Sequence, residues 1–289
     1  MSQDRPPGTV LVTGASGNVG RFVVEALLRR GVPVRAGVRD PAQGDHLVGG
    51  TAVALDFHRP ETFEPALRDV EGLFLMRPPP IARVGPTLNR LVDDAAAGGV
   101  RRIALLSVIG AGRNPVVPHH RVEQHLRRTP VDWTFLRPSF FAQNLGDSYR
   151  RDICEDGRIY VPAGAGRVAF VDVRDVADVA ARALTEPGVH AGRAYDLTGP
   201  QALGFADVAT LLGRALGRVV RFEPATVPGY ARHLRSRGVA VPQIAVQTVL
   251  HAGLRLGQAA RVDPTLAQLL GRPAGTLQRY VDDHVALWR

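Results

Sequence analysis

The sequence has no lysine, a single cysteine, few aromatic residues and no long hydrophobic run. All 36 basic residues are arginine, so chemistry that needs a lysine side chain is excluded. Cys154 cannot form a disulfide within the chain, and one cysteine cannot by itself build a zinc site. Apolar stretches such as Ile103–Leu106 are far shorter than the ~20 residues of a membrane-spanning helix, so we expect no membrane segment.

The remaining composition is that of a folded globular protein. Hydrophobic residues make up 45% and charged residues 22% of the 289 residues, which is typical of soluble domains. The net charge is +9, but the arginines are scattered and aromatic residues make up only 6%, so we expect no nucleic-acid partner. Residues 1–8 are polar without an apolar core, which argues against a secretion signal. We expect a cytoplasmic protein, monomeric or homodimeric, with a small-molecule ligand.

Strand and helix patterns alternate along the first half of the chain. An apolar run at Val10–Thr13 enters a glycine-rich turn, an apolar helical stripe covers Asn18–Arg30, and a second strand follows at Pro33–Val38. The alternation continues to Arg137. It predicts an α/β protein of the Rossmann type, with a doubly wound parallel sheet and helices on both faces.

After Asn144 the pattern changes to helices separated by short loops. A strand is predicted at Ala169–Val173, and Asp175 is placed to cap a helix over Val176–Leu184. We predict a Rossmann domain over residues 1–150. Residues 151–289 are predicted to hold the rest of the sheet and a smaller, mostly helical substrate-binding lobe, interleaved with the first domain.

The strongest motif lies between the first strand and the first helix. Residues 14–20 read Gly-Ala-Ser-Gly-Asn-Val-Gly, a Gly-x-x-Gly-x-x-Gly pattern. Glycines allow the tight turn and let the backbone approach a pyrophosphate, which the N–H groups and positive end of the following helix then hold. We therefore predict a dinucleotide at this loop, bound by Gly14, Ser16, Gly17, Asn18 and Val19.

The end of the second strand bears on the choice between NAD(H) and NADP(H). An NAD site usually carries an acid there, which accepts hydrogen bonds from the ribose hydroxyls. Here Val38 is followed by Arg39 and Asp40. Arg39 can pair with a 2′-phosphate and stack on adenine. This residue favours NADP(H) as the cofactor of the domain over residues 1–150. The alternative is a solvated Arg39–Asp40 pair.

Several longer segments carry a resemblance to a known family. They are Val-Thr-Gly-Ala-Ser-Gly-Asn-Val-Gly (12–20), Gly-Val-Arg-Asp-Pro (37–41), Leu-Asp-Phe (55–57), and the segments 105–111, 133–144, 170–177 and 211–218. Together they resemble the NmrA-like, atypical short-chain dehydrogenase/reductases, among them NAD(P)H:quinone oxidoreductases. The resemblance covers nearly the whole chain and implies a Rossmann fold that binds NADP(H). The family contains enzymes and also regulators that sense the redox state of the cofactor.

The resemblance also implies where the cofactor lies. Adenine is expected beside Asp56 and Phe57. The nicotinamide is expected among residues from several segments, namely Met76, Arg77, Pro78, Ser107, His119, Pro138 and Phe141.

Ordinary short-chain dehydrogenases use a Tyr-x-x-x-Lys pair, in which the lysine lowers the pKa of the tyrosine. This chain has no lysine. Matching Glu123 to the helix glutamate of extended members places His119 at the lysine position and Pro115 at the tyrosine position. Ser107 matches the serine region, so His119 and Ser107 are the predicted catalytic residues. The alternative for His119 is a solvated histidine at the start of a helix. The loss of the usual acid favours acceptors whose reduction needs little proton donation.

We therefore predict an NADPH-dependent reductase of a small conjugated electrophile: a quinone, enone, imine or polyketide-type aromatic of secondary metabolism. One alternative is a non-catalytic, redox-sensing regulator that binds NADP(H). Another is a non-redox cyclase, dehydratase or isomerase on the same fold. No metal site is predicted.

Overall fold

The chain folds as two compact units in a computed structural model that describes residues 8–42, 50–186 and 188–289. One unit comprises Met1–Pro138 and Val173–Asp196, and the other comprises Ser139–Asp172 and Leu197–Arg289. Residues 1–7, on which the expectation about a secretion signal rests, lie outside the described ranges. Within those ranges, no helix is both long and apolar enough to cross a membrane.

Strands and helices alternate in the first half of the chain, and helices predominate in the second. The strands are β1 (Thr9–Thr13), β2 (Val34–Val38), β3 (Thr51–Ala54), β4 (Val70–Met76), β5 (Arg102–Leu106), β6 (Asp132–Pro138), β7 (Arg158–Val161), β8 (Arg167–Ala169), β9 (Arg193–Leu197), β10 (Ala202–Gly204) and β11 (Arg221–Pro224). The α-helices are α1 (Gly20–Leu28), α2 (Phe63–Leu67), α3 (Arg90–Ala97), α4 (Pro118–Leu126), α5 (Arg150–Glu155), α6 (Val173–Thr185), α7 (Phe205–Leu216), α8 (Val227–Ser236), α9 (Val241–Leu254), α10 (Thr265–Leu270) and α11 (Leu277–Asp283).

Seven strands form the central sheet, in the order β3-β2-β1-β4-β5-β6-β9. The pairings from β3 through β6 are parallel, and Val12 of β1 lies opposite Ala36 on one side and Phe74 on the other. The strand order reverses at β1. In an open α/β sheet such a reversal creates a crevice at the carboxyl ends of the strands, where ligands usually bind. The predicted doubly wound Rossmann fold is confirmed.

Helices cover both faces of this sheet because its inner strands are apolar on both sides. One face contributes Leu73 and Leu105 to a buried cluster with residues of α2, α3 and α4. On the other face α1 packs against α6, and a β-carbon added to Gly72 would lie 3.4 Å from the side chain of Leu184. This packing holds the strand ends, and the loops that follow them, in fixed positions.

The second unit has its own core, which is rich in aromatic side chains. β8 pairs antiparallel with β10, and β7 pairs parallel with β11. The ring of Phe205 lies edge-on to those of Tyr149 and Phe170, with centroids 6.2 Å and 5.8 Å away. Trp288 is buried, and its indole N–H donates to the carbonyl oxygen of Leu145 at 2.8 Å, which anchors the C-terminal turn.

The predicted strand at Ala169–Val173 is wrong in its extent. β8 ends at Ala169, Val171 forms only an isolated bridge, and α6 already begins at Val173. Asp175 consequently lies within the first turn of α6 and not at the position that precedes the helix. A short apolar run fits a buried strand and the start of a buried helix equally well, so periodicity could not separate the two.

The sequence patterns do not predict β7, β9, β10 or β11. Four residues of β9 are exposed or half-buried, and β11 is exposed at both ends. Strands with so little buried surface have neither an apolar run nor a clear alternation. Their pairing depends on neighbours that only the folded chain supplies.

Candidate functional site

The glycine loop joins β1 to α1 at the carboxyl edge of the sheet, where the strand order reverses. Gly14 has a left-handed backbone, with φ at 62°, and a β-carbon there would lie 2.7 Å from Sδ of Met76. A β-carbon on Gly20 would lie 2.1 Å from the carbonyl oxygen of Gly14. The Gly17 N–H donates to that same oxygen at 2.9 Å. The tight turn therefore requires glycine at positions 14 and 20.

This loop leaves the beginning of α1 accessible to an anion. α1 begins at Gly20 and has no acidic residue in its first turn. Ser16 and Asn18 are exposed, while Val19 is buried. The N-terminus of a helix carries a partial positive charge, and the bare glycine backbone allows close approach. These residues fit the pyrophosphate of NAD(P)H.

Arg39 lies immediately after β2 and is exposed. In the described part of the chain it forms no ion pair, and Asp40 accepts a hydrogen bond from the N–H of Ala42 at 3.1 Å. Arg39 and Asp40 are both exposed, so the Arg39 assignment stays a prediction beside the alternative of a solvated pair. The Arg39 guanidinium can bind a phosphate on the adenosine ribose, the group that distinguishes NADPH from NADH.

Asp56 and Phe57 follow β3. Oδ1 of Asp56 accepts from the N–H of His58 at 2.9 Å, and the Asp56 N–H donates to Oγ1 of Thr62 at 3.1 Å. Phe57 is only 7% exposed and belongs to the core of the first unit. Asp56 thus holds a turn at the sheet edge, and Phe57 can offer only a small part of its ring to a ligand.

A buried threonine joins the ends of β1 and β4. Oγ1 of Thr13 donates to the carbonyl oxygen of Phe74 at 3.0 Å and accepts from the N–H of Met76 at 2.9 Å. This bridge holds Met76 beside the glycine loop. Thr13 is not among the residues predicted from the sequence, although a hydroxyl at the end of an apolar strand is the signal that could have revealed it.

A buried carboxylate connects the ends of β5 and β6 to α4. The hydroxyl of Ser107 donates to Oε1 of Glu123 at 2.6 Å. Arg137 donates to both oxygens of Glu123, at 2.9 Å and 2.6 Å, and this bonding raises the pKa of Arg137. Glu123 is completely buried. Neither Glu123 nor Arg137 is among the site residues predicted from the sequence. A glutamate on the apolar stripe of a helix is the signal that could have revealed the pair.

His119 lies in the first turn of α4, one helical turn before Glu123, and is 8% exposed. Nε of Arg77 donates to Nε2 of His119 at 3.4 Å. Burial, reinforced by the charge of Arg77, lowers the pKa of His119 to about 4, although Glu123 acts in the opposite direction. The imidazole is therefore neutral at neutral pH. Pro115, at the tyrosine position of the resemblance, is exposed in the preceding loop.

The structure brings most of the predicted positions to one edge of the sheet. Gly14, Met76, Ser107 and Pro138 end or follow β1, β4, β5 and β6, which are consecutive neighbours in the sheet. Pro78 belongs to the turn after β4, and its carbonyl oxygen accepts from Arg77. Arg39 and Asp56 follow the two strands on the other side of β1. Phe141 belongs to the second unit.

The second unit contains a buried tyrosine–histidine pair. The hydroxyl of Tyr149 donates to Nε2 of His251, and Nδ1 of His251 donates to the carbonyl oxygen of Gln247 at 2.6 Å. Burial raises the pKa of Tyr149 and lowers that of His251 to about 4, so both side chains are neutral at neutral pH. Tyr149 packs within the aromatic core of its unit.

Comparisons with known proteins identify the family. A family model of NAD(P)H-binding proteins matches residues 14–187. The NAD(P)H azoreductase of Xenophilus azovorans is 34% identical over 96% of this chain and 98% of that protein. A (4-alkanoyl-5-oxo-2,5-dihydrofuran-3-yl)methyl phosphate reductase of Streptomyces griseus is 35% identical over 95% of this chain and 97% of that protein. The NADPH-dependent quinone oxidoreductase of Escherichia coli, solved with NADPH, has a TM-score of 0.85 at 28% identity and covers 96% of this chain and 99% of that one.

The relatives match over almost the entire chain, so the likeness is not confined to the glycine loop. The family expected from the sequence motifs and the NAD(P)H cofactor are both confirmed. The chain belongs to the NAD(P)H-binding family and is an NAD(P)H-dependent oxidoreductase.

Proposed function

We propose that this chain transfers hydride from NADPH to a small conjugated electrophile without a dedicated proton donor. The observation that carries the proposal is the state of His119. This histidine is the residue at the usual lysine position, and it is buried and neutral, with a pKa of about 4. A group that has already lost its acidic proton at neutral pH is a poor general acid.

The groups beside His119 do not replace the missing acid. The proton of Ser107 is directed to Glu123, and the Glu123 carboxylate is bound by Arg137 at 2.6 Å. Pro115 has no acidic proton, and the chain has no lysine. Reduction of an unactivated ketone leaves a strongly basic alkoxide that needs a positioned acid. Simple ketones are therefore poor substrates under this proposal.

Conjugated acceptors avoid that requirement. A quinone that accepts hydride becomes a delocalised, weakly basic oxyanion, which water can protonate. An enone gives a stabilised enolate, and an iminium needs no proton at all. Bound NADPH supplies the hydride. The chain's own contribution is to bind both reactants, orient them and exclude water from the reacting atoms.

We assign the residues at the sheet edge to parts of the cofactor. The loop residues Gly14, Ser16, Gly17, Asn18 and Val19 bind the pyrophosphate, since the turn is tight and the following helix begins without an acid. Arg39 binds the 2′-phosphate. The assignment of Asp56 and Phe57 to adenine rests on the family resemblance. So does the assignment to nicotinamide of Met76, Arg77, Pro78, Ser107, His119, Pro138 and Phe141.

The relatives support the substrate class through the reactions for which they are named. One is an azoreductase, one a quinone oxidoreductase, and one reduces an alkanoyl dihydrofuranone phosphate. An azo bond, a quinone and an unsaturated lactone that bears an acyl group are all conjugated, electron-poor acceptors. Relatives on the same fold can differ in substrate, so this support is by analogy.

The test is a turnover assay that follows the loss of NADPH absorbance with a panel of acceptors. The panel holds a simple quinone, an enone, a cyclic imine, an azo dye and an unactivated ketone. We expect turnover with one or more conjugated acceptors and none with the ketone. Rapid reduction of the ketone would contradict the proposal, because it requires the acid that the proposal denies. Product formation without consumption of NADPH would contradict it as well.

A further inference from the structure

Arg77 is fixed in position independently of His119. Its Nη1 donates to the carbonyl oxygens of Pro78, Pro79 and Ile81, at 3.1 Å, 2.9 Å and 2.7 Å. The two hydrogens of Nη1 are shared among these three oxygens and hold the guanidinium against the turn that follows β4. The Nε–H of Arg77 then faces Nε2 of His119.

That contact determines which nitrogen of His119 carries the proton. A guanidinium only donates hydrogen bonds, and it does not lose its proton in proteins. Nε2 of His119 must therefore accept with its lone pair, and the proton of the neutral ring is on Nδ1. A proton on Nε2 would point at the N–H of Arg77. If the ring were protonated on both nitrogens, its positive charge would also face that of the guanidinium.

The nearby acid does not reverse this preference. Glu123 lies one helical turn after His119 and would favour a protonated ring. Its carboxylate is engaged by the guanidinium of Arg137 at 2.6 Å and lies 3.8 Å from that of Arg127. The charge of Arg77 faces His119 directly. The Nδ1–H form is therefore the one that the site selects.

The Nδ1–H of His119 is a buried donor without an acceptor among the described residues. Buried polar groups in proteins nearly always have a hydrogen-bond partner, so such a group needs an explanation. The ring lies against Arg77, which follows β4, at the same sheet edge as the glycine loop. A ligand bound at that edge would supply the acceptor.

We propose that Arg77 is a positioning residue that holds His119 in its neutral Nδ1–H form, and that this N–H donates to an oxygen of the bound reactants. The oxygen belongs either to the carbonyl group of the acceptor or to a ribose hydroxyl of the cofactor. The proposal rests on the proposed function for the identity of these reactants. No proton is transferred: the imidazole keeps its proton and only stabilises the oxygen.

The first test measures the ring directly and needs no turnover. In the full-length protein labelled with ¹⁵N-histidine, a His119→Asn variant identifies the His119 signals among the nine histidines. We expect Nδ1 protonated, Nε2 bare, and no titration between about pH 5 and 8. Arg77→Met is expected to raise the pKa of His119 above the wild-type value, because the opposing charge is gone, although burial still holds the pKa below 6.5. Arg77→Lys retains the charge and should leave the pKa low. Arg83→Met, which alters an exposed arginine nearby, is expected to change nothing.

A wild-type ring protonated on Nε2, or one that titrates near its ordinary pKa, would overturn the proposal. So would an Arg77→Met variant whose His119 keeps the wild-type pKa, since a merely structural arginine would leave the titration unchanged. These outcomes do not depend on whether any acceptor is reduced. Failure of the proposed function therefore leaves this test intact.

The second test identifies the oxygen. His119→Leu removes the donor, whereas His119→Asn retains an N–H close to the position of Nδ1. If the acceptor carries the oxygen, we expect His119→Leu to lower kcat/KM for a quinone about tenfold, with largely normal NADP⁺ binding and recovery in His119→Asn. If the cofactor carries it, the same pattern should appear in the Kd for NADP⁺. Unchanged values in both measurements would refute donation by Nδ1–H.

Discussion

Gly20 approaches Gly14 so closely that a β-carbon at position 20 would lie 2.1 Å from the Gly14 carbonyl oxygen. The same oxygen accepts the hydrogen bond from Gly17 that closes the loop. The neighbour is backbone, so it cannot move aside as a flexible side chain would. The close packing of α1 on β1 and the shape of the anion-binding loop therefore depend on the same missing methyl group.

Gly20→Ala is expected to push the first turn of α1 away from the carbonyl oxygen of Gly14. Forced overpacking of this kind lowers the free energy of unfolding by about 1–3 kcal/mol, and NADPH affinity should fall as the loop shifts. Urea unfolding and fluorescence titration with NADPH measure the two effects. Gly85→Ala is the matched control because a β-carbon there meets nothing within 4 Å. Equal behaviour of the two variants would contradict the role of the close contact.

The second prediction concerns the contribution of the buried Glu123–Arg137 pair to the free energy of unfolding. Glu123→Leu leaves Arg137 without its partner and is expected to lower the free energy of unfolding by about 3 kcal/mol. The double variant Glu123→Leu/Arg137→Met should regain part of this loss, because it removes the unpaired charge. Urea unfolding of the single and double variants measures both values. Glu64→Leu, at an exposed glutamate, should have little effect. A double variant less stable than Glu123→Leu would argue against the pair.

Arg39 is expected to determine the preference for NADPH. Arg39→Ala removes a charge-assisted bond to the 2′-phosphate, so kcat/KM for NADPH should fall about tenfold or more. The value for NADH should hardly change, because NADH lacks that phosphate. Steady-state kinetics with both cofactors provide the measurement, and Arg83→Ala is the control. An equal loss with both cofactors would show that Arg39 acts on the fold and not on the phosphate.

The buried histidine of the second unit predicts acid sensitivity. His251 has a pKa of about 4 in the folded protein, below its ordinary value of 6.5. Between these values the unfolded chain binds a proton that the folded chain does not. Protonation of His251 in the unfolded chain therefore does not affect the free energy of unfolding above about pH 6.5. As the pH falls from 6.5 toward 4, this protonation lowers the free energy of unfolding by about 1.4 kcal/mol per pH unit.

The corresponding experiment compares variants of the buried tyrosine–histidine pair. Free energies of unfolding are measured in urea at several pH values in this window. In the double variant Tyr149→Phe/His251→Phe, the free energy of unfolding should change less steeply with pH than in the wild type. The difference in slope should correspond to the one proton that His251 binds on unfolding. Tyr149→Phe alone keeps His251 and should keep the wild-type slope. The slope of the double variant should not reach zero, because His119 shifts in the same direction. An unchanged slope would mean that His251 is not protected from protonation.

Much of the proposed cofactor site could be predicted from contiguous residues. The loop over 14–20 is a local feature, since glycine at a left-handed or crowded position leaves a direct mark in the sequence. The apolar runs of β1, β4 and β5 likewise indicate strands buried on both faces. Arg39 follows from its place at the end of β2. The short strands β9 and β11 could not be predicted, because their exposed residues carry no periodic signal.

The proposed catalytic side of the site depends on residues distant in sequence. Arg77 and His119 are separated by 42 positions, and Thr13 and Met76 by 63. Neither relationship has a local pattern, because each arises from the order of the strands in the sheet.

The sequence alone determined strands β1 to β6 of the sheet, the glycine loop and the absence of a lysine, because these follow from local backbone preferences, apolar periodicity and composition. Only the tertiary structure decided that His119 is neutral and which of its nitrogens carries the proton. The charge state of an imidazole depends on its burial and on the charges around it. His119 is buried on α4, and the nearby charge is the guanidinium of Arg77. The fold brings these two residues together.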